Sequence, residues 1–338
     1  MPPTIKDVAN LAKVSTATVS LVVHENDRIS DNTRRRVLQA INDLDYHPSK
    51  AARGLVMRQT HNIGFILTDD HFLKTEPFYT LIFLGTEFEA RGHKYYILLN
   101  TIPSVFDEDN CLPRFVKEQN VDGIIIAGKV PPEMIYCLKP YNLPIVFVDY
   151  FPSNGEYFGV LIDNIEGGKK ATEYLISLGH RQIAFLGGDL EHPSIRDRLH
   201  GYQLAHENHK LTIDRKIIIT SETMTSREAG AHATAALLAK KKDFTAIFAC
   251  NDAMAFGAIQ YLKTKGFSIP DDISVVGFDD VQTVSASDPP LTTIRVPKIE
   301  MGAQTMKMMV DLVEQKIKKS HKVLIPVELV VRNSTKKL

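Results

Sequence analysis

Four motifs in this chain of 338 residues place a charged or amide side chain at the end of an apolar run or the start of a helical one. Asp149 closes PIVFVD, Asn251 and Asp252 follow FTAIFAC, Asp279 follows ISVVGF, and Arg198 sits in IRDRLHGY. A carboxylate and a guanidinium at the bottom of a dry cleft can hold neighbouring hydroxyls of a sugar, because charge-assisted and bidentate hydrogen bonds are strong and directional. Each residue also has a plainer use. Asn251 and Asp252 suit capping of the helix that follows them. Asp279 suits bracing a loop, and Arg198 has Asp197 and Glu191 near it as surface partners. Phe78, in EPFYTL, fits either the apolar face of a sugar or ordinary core packing.

No catalytic constellation accompanies these residues. FLGGD is glycine-rich but lacks the G-x-G-x-x-G spacing, and no Walker A sequence is present. There is no G-x-S-x-G elbow, and the His206-Glu207-Asn208 run lacks the second histidine of a metalloprotease. Cys111, Cys137 and Cys250 stand far apart, without C-x-x-C spacing or a nearby histidine, so neither a disulfide framework nor a zinc site is expected. The sequence therefore predicts a binding protein that is not an enzyme and needs no cofactor or metal. No apolar run approaches the ~20 residues of a membrane helix, and the start of the chain lacks the apolar core of a signal peptide. A cytoplasmic protein with no membrane partner is the expectation.

The elements that carry these residues fall into a small head and a long body. Thr4 and Asp7 have capping-box spacing, and Ile5, Val8, Ala9 and Ala12 follow at helical spacing. Lys13-Val14 forms a turn, and Ser15 is placed to cap a second helix that reaches about His24. Val19, Val22 and Val23 share its inner face, which leaves Thr16, Ala17, Ser20 and Leu21 pointing outward. Ser30 starts a third helix through Leu44, with Val37, Ile41 and Leu44 inward and Arg34, Arg35 and Arg36 crowding its first turns. Three cations there oppose the helix dipole, so either an anion such as a phosphate backbone faces them or they are simply solvated. The whole chain balances 40 Lys and Arg against 40 Asp and Glu, while its first 60 residues hold nine basic and six acidic side chains. Small outward residues at the start of a second short helix suit a helix-turn-helix, whose recognition helix approaches base edges closely. A small helical cap without a ligand is the competing reading.

From Asn62 the pattern changes to apolar runs alternating with amphipathic helices. NIGFILT, KYYILLN, VDGIIIAG and PIVFVDY form one series, and RQIAFLGG, KIIITSE, FTAIFACND and ISVVGFDD form a second. Such runs separated by helices indicate two parallel sheets, each covered on both faces. LTTIRV, a helix from Lys298 to about Ile317, and VLIPVELVVRNS complete the chain. Ligands bind outside the carboxyl ends of strands in such sheets, so a cleft between two of them is the expected site.

The head TIKDVANLAKVSTATVSLVV, followed by RISDNTRRRVLQAINDLDYHPSKAARGL, resembles the LacI/GalR family of bacterial transcription regulators, and the resemblance extends over essentially the whole chain. It implies a helix-turn-helix DNA-binding domain at 1–48 and a hinge helix at 49–60. The body implied is α/β and has two lobes like a periplasmic sugar-binding protein. One lobe is expected at 61–161 with 293–323, the other at 162–292 with 324–338. Thr16, Ala17 and Leu21 then take base-reading positions. Thr4, Ser15, Thr18, Ser20, His24 and Ser30 become further DNA contacts, and Ala52 and Leu55 act from the hinge. Arg198, Asn251, Asp279, Asp149 and Phe78 become effector contacts. The implied function is repression from a palindromic double-stranded operator by a homodimer, controlled by a sugar or sugar phosphate and directed at genes of sugar uptake or catabolism.

Several positions depart from the family pattern. Lys13 stands where Gly or Asn is usual, which strains the turn if its φ is positive. His24 replaces an Asn, and Leu21 offers only apolar contact, for example to a thymine methyl. Near Thr225 the family often carries a ligand-stacking ring, and SETMTSREAG has none, so a sugar suits this chain better than a planar base. Met306, Met309, Val310 and Val313 form a stripe on the long helix that serves either the core or a subunit contact. No heptad-bearing tail follows VVRNSTKKL, so a dimer is expected rather than a tetramer.

Overall fold

The computed structural model describes residues 3–23, 29–46, 59–70, 77–107, 112–152, 155–240, 243–282 and 287–338. Two compact units result, residues 1–60 and 61–338.

In the first unit, three short helices close around a small core. α1 (Ile5–Ala12) begins where the Asp7 carboxylate accepts hydrogen bonds from the Thr4 amide at 2.7 Å and the Thr4 hydroxyl at 2.6 Å. It stops at Lys13, whose φ of 52° puts a non-glycine residue in the left-handed region. Arg36 stabilises that turn, because its Nη2 donates to the carbonyls of Ala12 at 2.8 Å and Lys13 at 3.3 Å. One of the three clustered arginines is thus explained inside the fold, without an external phosphate. α2 (Thr16–Val23) starts at Ser15, whose hydroxyl accepts from the Thr18 amide at 3.1 Å. Ser30 caps α3 (Asp31–Asp43) in the same way through Thr33. Val8, Ala9, Ala12, Val19, Val22, Val37, Ala40 and Tyr46 fill the core between the three helices.

The second unit contains two six-stranded sheets. The first pairs β1 (Asn62–Thr68), β2 (Tyr96–Ile102), β3 (Gly123–Ala127), β4 (Ile145–Val148), β5 (Phe158–Ile162) and β11 (Lys322–Ile325) in the order β11-β5-β4-β3-β1-β2, all parallel. The second pairs β6 (Ile183–Leu186), β7 (Ile218–Ile219), β8 (Ala246–Ala249), β9 (Ser274–Asp279), β10 (Thr292–Arg295) and β12 (Glu328–Val330) in the order β12-β10-β9-β8-β6-β7. Only β12 among these runs antiparallel to its neighbour. β1, β3, β6 and β8 are buried along their whole length, as continuous apolar strands in a parallel sheet must be.

Strand pairing moves the expected boundaries between lobes, the first by one residue because Ile162 still pairs in the first sheet. Thr293 pairs with Gly277 and Arg295 with Asp279, so the run to Arg295 belongs to the second sheet. Leu324 pairs with Leu161 and Ile325 with Ile162, so the run to Ile325 belongs to the first. The chain therefore crosses after Ile162, after Arg295 and after Ile325. Each crossing waits until a strand has completed its ladder, because an unpaired buried backbone group is costly.

α4 (Phe78–Gly92), α5 (Arg114–Lys117) and α6 (Pro132–Leu138) flank the first sheet, and α7 (Asn164–Ser177), α8 (Pro193–Asn208), α9 (Arg227–Ala239) and α10 (Asp252–Thr264) the second. α11 (Lys298–Val313) returns to the first sheet and lies along α4. It ends at Val313, short of the expected Ile317, where Gln315 turns left-handed with φ 58°. Its stripe of Met306, Met309 and Val310 is core, with 2% exposure or less at each, and Val313 is half-buried beside it.

Three helix pairs touch backbone to backbone through reciprocal glycines. A Cβ on Gly85 of α4 would collide with the Ile299 carbonyl of α11, and one on Gly302 with the Ile82 carbonyl. The same holds for Gly168 and Gly201 between α7 and α8, and for Gly230 and Gly257 between α9 and α10. Gly168 faces the carbonyl of Arg198, so this contact also sets where that side chain begins. Gly201→Ala must push α8 off the Ile165 backbone and should cost about 1–3 kcal/mol of stability. Urea unfolding measures it, and an unchanged midpoint would show that the helices do not depend on this approach.

Candidate functional site

A cavity of about 800 Å³ opens between the carboxyl ends of strands from both sheets. Phe78, Asp149, Arg198, Asn251 and Asp279 all line it, so the structure brings together every effector position expected from the sequence. Arg198 is 6% exposed and projects from the second turn of α8. Its Nε donates to Asn164 Oδ1 at 2.8 Å and its Nη1 to the Cys250 carbonyl at 2.7 Å. The guanidinium carbon lies 3.8 Å from the centre of the Phe278 ring. Nη1 also stands 3.6 Å from Asp279 Oδ1, near enough for charge attraction but too long for a direct hydrogen bond. Neither Asp197 nor Glu191 competes for this side chain, because it is turned inward.

Two carboxylates keep a buried oxygen that accepts no hydrogen bond within the protein. Asp149, with φ 60° at the end of β4, is 6% exposed and accepts the Tyr79 hydroxyl on Oδ2 at 2.8 Å. Its Oδ1 is buried without a hydrogen bond, and so is Oδ1 of Asp279. Burial raises Asp149 to about 6, against the pull of the Tyr79 hydroxyl and the Arg198 charge. Burial also raises Asp279, with Arg198 and Lys298 opposing. A buried acceptor without a donor costs free energy. Hydroxyl or amine donors from a small molecule would satisfy both atoms.

Asn251 serves both of the uses open to it. Its side-chain oxygen accepts the Met254 amide at 2.9 Å and caps α10, while its amide nitrogen donates to the Thr225 carbonyl at 2.9 Å. Asp252 is spent on the fold, accepting the Thr293 hydroxyl at 2.6 Å and the Val281 amide at 2.9 Å at 1% exposure. Phe78 is 5% exposed, packs edge-on against Tyr79 and still lines the cavity. Thr225 forms part of the wall without a ring.

Three participants were not found by sequence reasoning. Tyr79 sits one residue after a noticed phenylalanine, inside an ordinary helical apolar run. Asn164 opens α7 and looks like a helix-start residue. Lys298 is 4% exposed, with its ammonium on the Asp279 carbonyl, and nothing in VPKIE distinguishes it from a surface lysine.

In the first unit, Ser15, Thr16, Ala17 and Leu21 are exposed, Thr18 and Ser20 half-buried, and Leu21 is 38% exposed. Thr4 and Ser30 are also exposed, but the Thr4 hydroxyl donates to Asp7 and the Ser30 hydroxyl to Thr33. His24, Ala52, Leu55 and the expected hinge up to residue 58 lie outside the described residues, as does Cys111. Among the described residues no helix is long and apolar enough to cross a membrane.

A helix-turn-helix unit followed by two parallel-sheet lobes around a polar cavity defines a ligand-controlled DNA-binding protein. Residues 4–49 match the model of bacterial regulatory proteins of the lacI family, and residues 172–335 match a periplasmic binding protein-like domain. The HTH-type transcriptional repressor PurR of Vibrio campbellii is 32% identical over 99% of each chain. The Lac repressor dimer bound to operator and the anti-inducer ONPF superposes with a TM-score of 0.83 at 27% identity, covering 99% of this chain and 100% of that one. The transcriptional regulator CelR in complex with cellobiose gives 0.75 at 29% identity, covering 98% and 99%. The chain belongs to the LacI family. It is a DNA-binding transcription repressor controlled by an effector, and the family is one of regulators, not enzymes.

The raised Asp149 makes stability depend on pH with a definite sign. A carboxyl whose folded value lies above its unfolded one favours folding when protonated, so its contribution is present below about pH 4 and lost as pH rises through about 6. The loss can reach about 3 kcal/mol. Asp149→Asn should remove it, so the variant gains on the wild type between pH 4 and pH 7 in urea unfolding. A constant difference across that range would contradict the assignment.

Proposed function

We propose that the effector is a small, uncharged carbohydrate held in the interlobe cavity, and that it sets operator affinity for genes of sugar uptake or catabolism. The observation that carries this is the pair of buried oxygens that accept no hydrogen bond, Asp149 Oδ1 and Asp279 Oδ1, the second 3.6 Å from the Arg198 guanidinium. A polyol supplies the missing donors to both carboxylates, and Arg198 Nη2 is left to donate to a ring or hydroxyl oxygen. Phe78 offers an apolar face for the C–H side of a sugar.

The same surroundings argue for the free sugar over its phosphate. Asp70, Glu133, Asp149, Asp189 and Asp279 line the cavity against the two cations Lys129 and Arg198. Adding a phosphate to this lining places like charge against like. The cellobiose in the CelR complex is a neutral sugar, which supports the reading.

The rest of the mechanism follows the family pattern. Two copies of the chain present their α2 helices to successive major grooves of a palindromic operator, with Thr16, Ala17 and Leu21 nearest the base edges. Ser15, Thr18 and Ser20 suit phosphate contacts, together with the helix-start amides. Thr4 and Ser30 contribute the same kind of contact only by releasing the hydrogen bonds they make to Asp7 and Thr33. His24, Ala52 and Leu55 complete the DNA surface in this reading. The sugar acts through its different affinity for two lobe arrangements; a ligand that binds both equally shifts nothing.

Screening neutral sugars and their phosphates by melting temperature, with operator binding measured beside it, tests this reading. A neutral sugar should raise the melting temperature and change operator affinity by about 5–150-fold. Arg198→Ala should reduce that response to less than about twofold while operator binding without sugar persists. Response only to phosphorylated sugars, or an unchanged response in the variant, would refute it.

A further inference from the structure

Lys298 is the first residue of α11, at the second crossing between lobes, and α11 packs on α4 and on β3, β4 and β5 of the first sheet. Its ammonium nevertheless reaches into the second lobe. It donates to the Asp279 carbonyl, with the Asp280 and Val296 carbonyls at 3.5 and 3.4 Å. All three of its hydrogens are therefore directed at backbone oxygens. A cation at a helix N-terminus opposes the dipole, and burial at 4% exposure adds to that cost. A lysine kept in such a place answers to something specific.

The carbonyls it holds belong to an unusual turn. Asp279 has φ 111° and Asp280 φ 51°, two consecutive non-glycine residues outside the ordinary regions. Such backbone persists only where its surroundings over-determine it. On one side Asp280 is fixed by Arg295 at 2.7 Å and Arg332 at 2.6 Å. On the other side Lys298 holds the carbonyls, and the Asp279 carbonyl also accepts the Val296 amide at 3.3 Å. This turn decides where the Asp279 carboxylate points. The Lys298 ammonium also stands 5.5 Å from the centre of the Phe78 ring, so one side chain lies under cavity walls from both lobes.

We propose that Lys298 is the positioning residue of the effector site: reaching across from the first lobe, it holds the Asp279–Asp280 turn of the second and so ties the aim of the Asp279 carboxylate to the angle between lobes. A rotation that draws α11 away removes the clamp, and the turn relaxes with loss of the ligand acceptor. The residue touches no ligand in this arrangement. It makes ligand affinity depend on lobe angle, which is what an effector must sense to act at a distance. The proposal rests on reading the cavity as the effector site, but its test needs no effector.

Amide hydrogen exchange on the ligand-free, full-length protein compares the wild type with Lys298→Met and Lys298→Arg. Methionine keeps the length of the stem without charge or donors, and arginine keeps both. The Val281 amide hangs on the Asp252 carboxylate and the Val296 amide on the Asp279 carbonyl. Both should exchange more than about tenfold faster in the methionine variant, with β1 and β8 within about threefold and the arginine variant close to wild type. Unchanged exchange at Val281 and Val296 overturns the proposal. Acceleration spread evenly over both sheets does so too, because it marks a lysine that only stabilises the fold. So does an arginine variant as fast as the methionine one.

Discussion

The body is organised around charge that it cannot fully neutralise by itself. Asp149 and Asp279 line the cavity with Arg198, and the buried Asp252 and Lys298 interact electrostatically with Asp279. Burial raises all three carboxyls and lowers Lys298, so desolvation opposes the charged form throughout. Asp252 is compensated by Thr293 and Val281, while Asp149 and Asp279 each retain one unmet acceptor. A protein that needed only stability would do better with apolar residues there. The unmet oxygens have a use if a hydroxylated ligand fills them and the filling is felt in both lobes.

That constraint explains features distant from the ligand. If an effector acts by altering the lobe angle, the cavity walls must be stiff, or its binding would be absorbed by local yielding. Reciprocal glycine contacts bind α4 to α11, α7 to α8 and α9 to α10, leaving little room for adjustment inside a lobe. The chain passes between lobes at three crossings, after Ile162, Arg295 and Ile325. Two of the site's groups sit directly at them. Asn164, which receives Arg198, opens α7 just past the first, and Lys298 opens α11 just past the second.

Much of this could be read in the sequence, and the failures share a physical cause. Asp7 three places after Thr4, Ser15 before a helical run and Ser30 before another encode caps within a few residues, and those caps form. NIGFILT and FTAIFAC report parallel strands because burial on both faces leaves their central positions apolar. Asp149, Asn251 and Asp279 were visible because each follows or ends a strand, and Arg198 because it lies near the start of a helix. What local pattern cannot carry is a partner far along the chain. Arg36 looks like a phosphate contact until it is found on Ala12 and Lys13. Tyr79 meets Asp149 and Lys298 meets Asp279 only through the folded topology. The lobe boundaries shifted for the same reason, since a ladder partner decides where a strand stops being useful to its sheet.

Control of a DNA-binding repressor by an effector requires the cavity and the operator-reading head to answer to one shared equilibrium. Linkage makes the claim reciprocal: if a sugar changes operator affinity by some factor, operator must change sugar affinity by the same factor. Titrating the active sugar into the free protein and into the operator-saturated protein measures this directly. The two dissociation constants should differ by the factor separating operator affinities with and without sugar, about 5–150-fold. Equal sugar affinity in the two forms would contradict it.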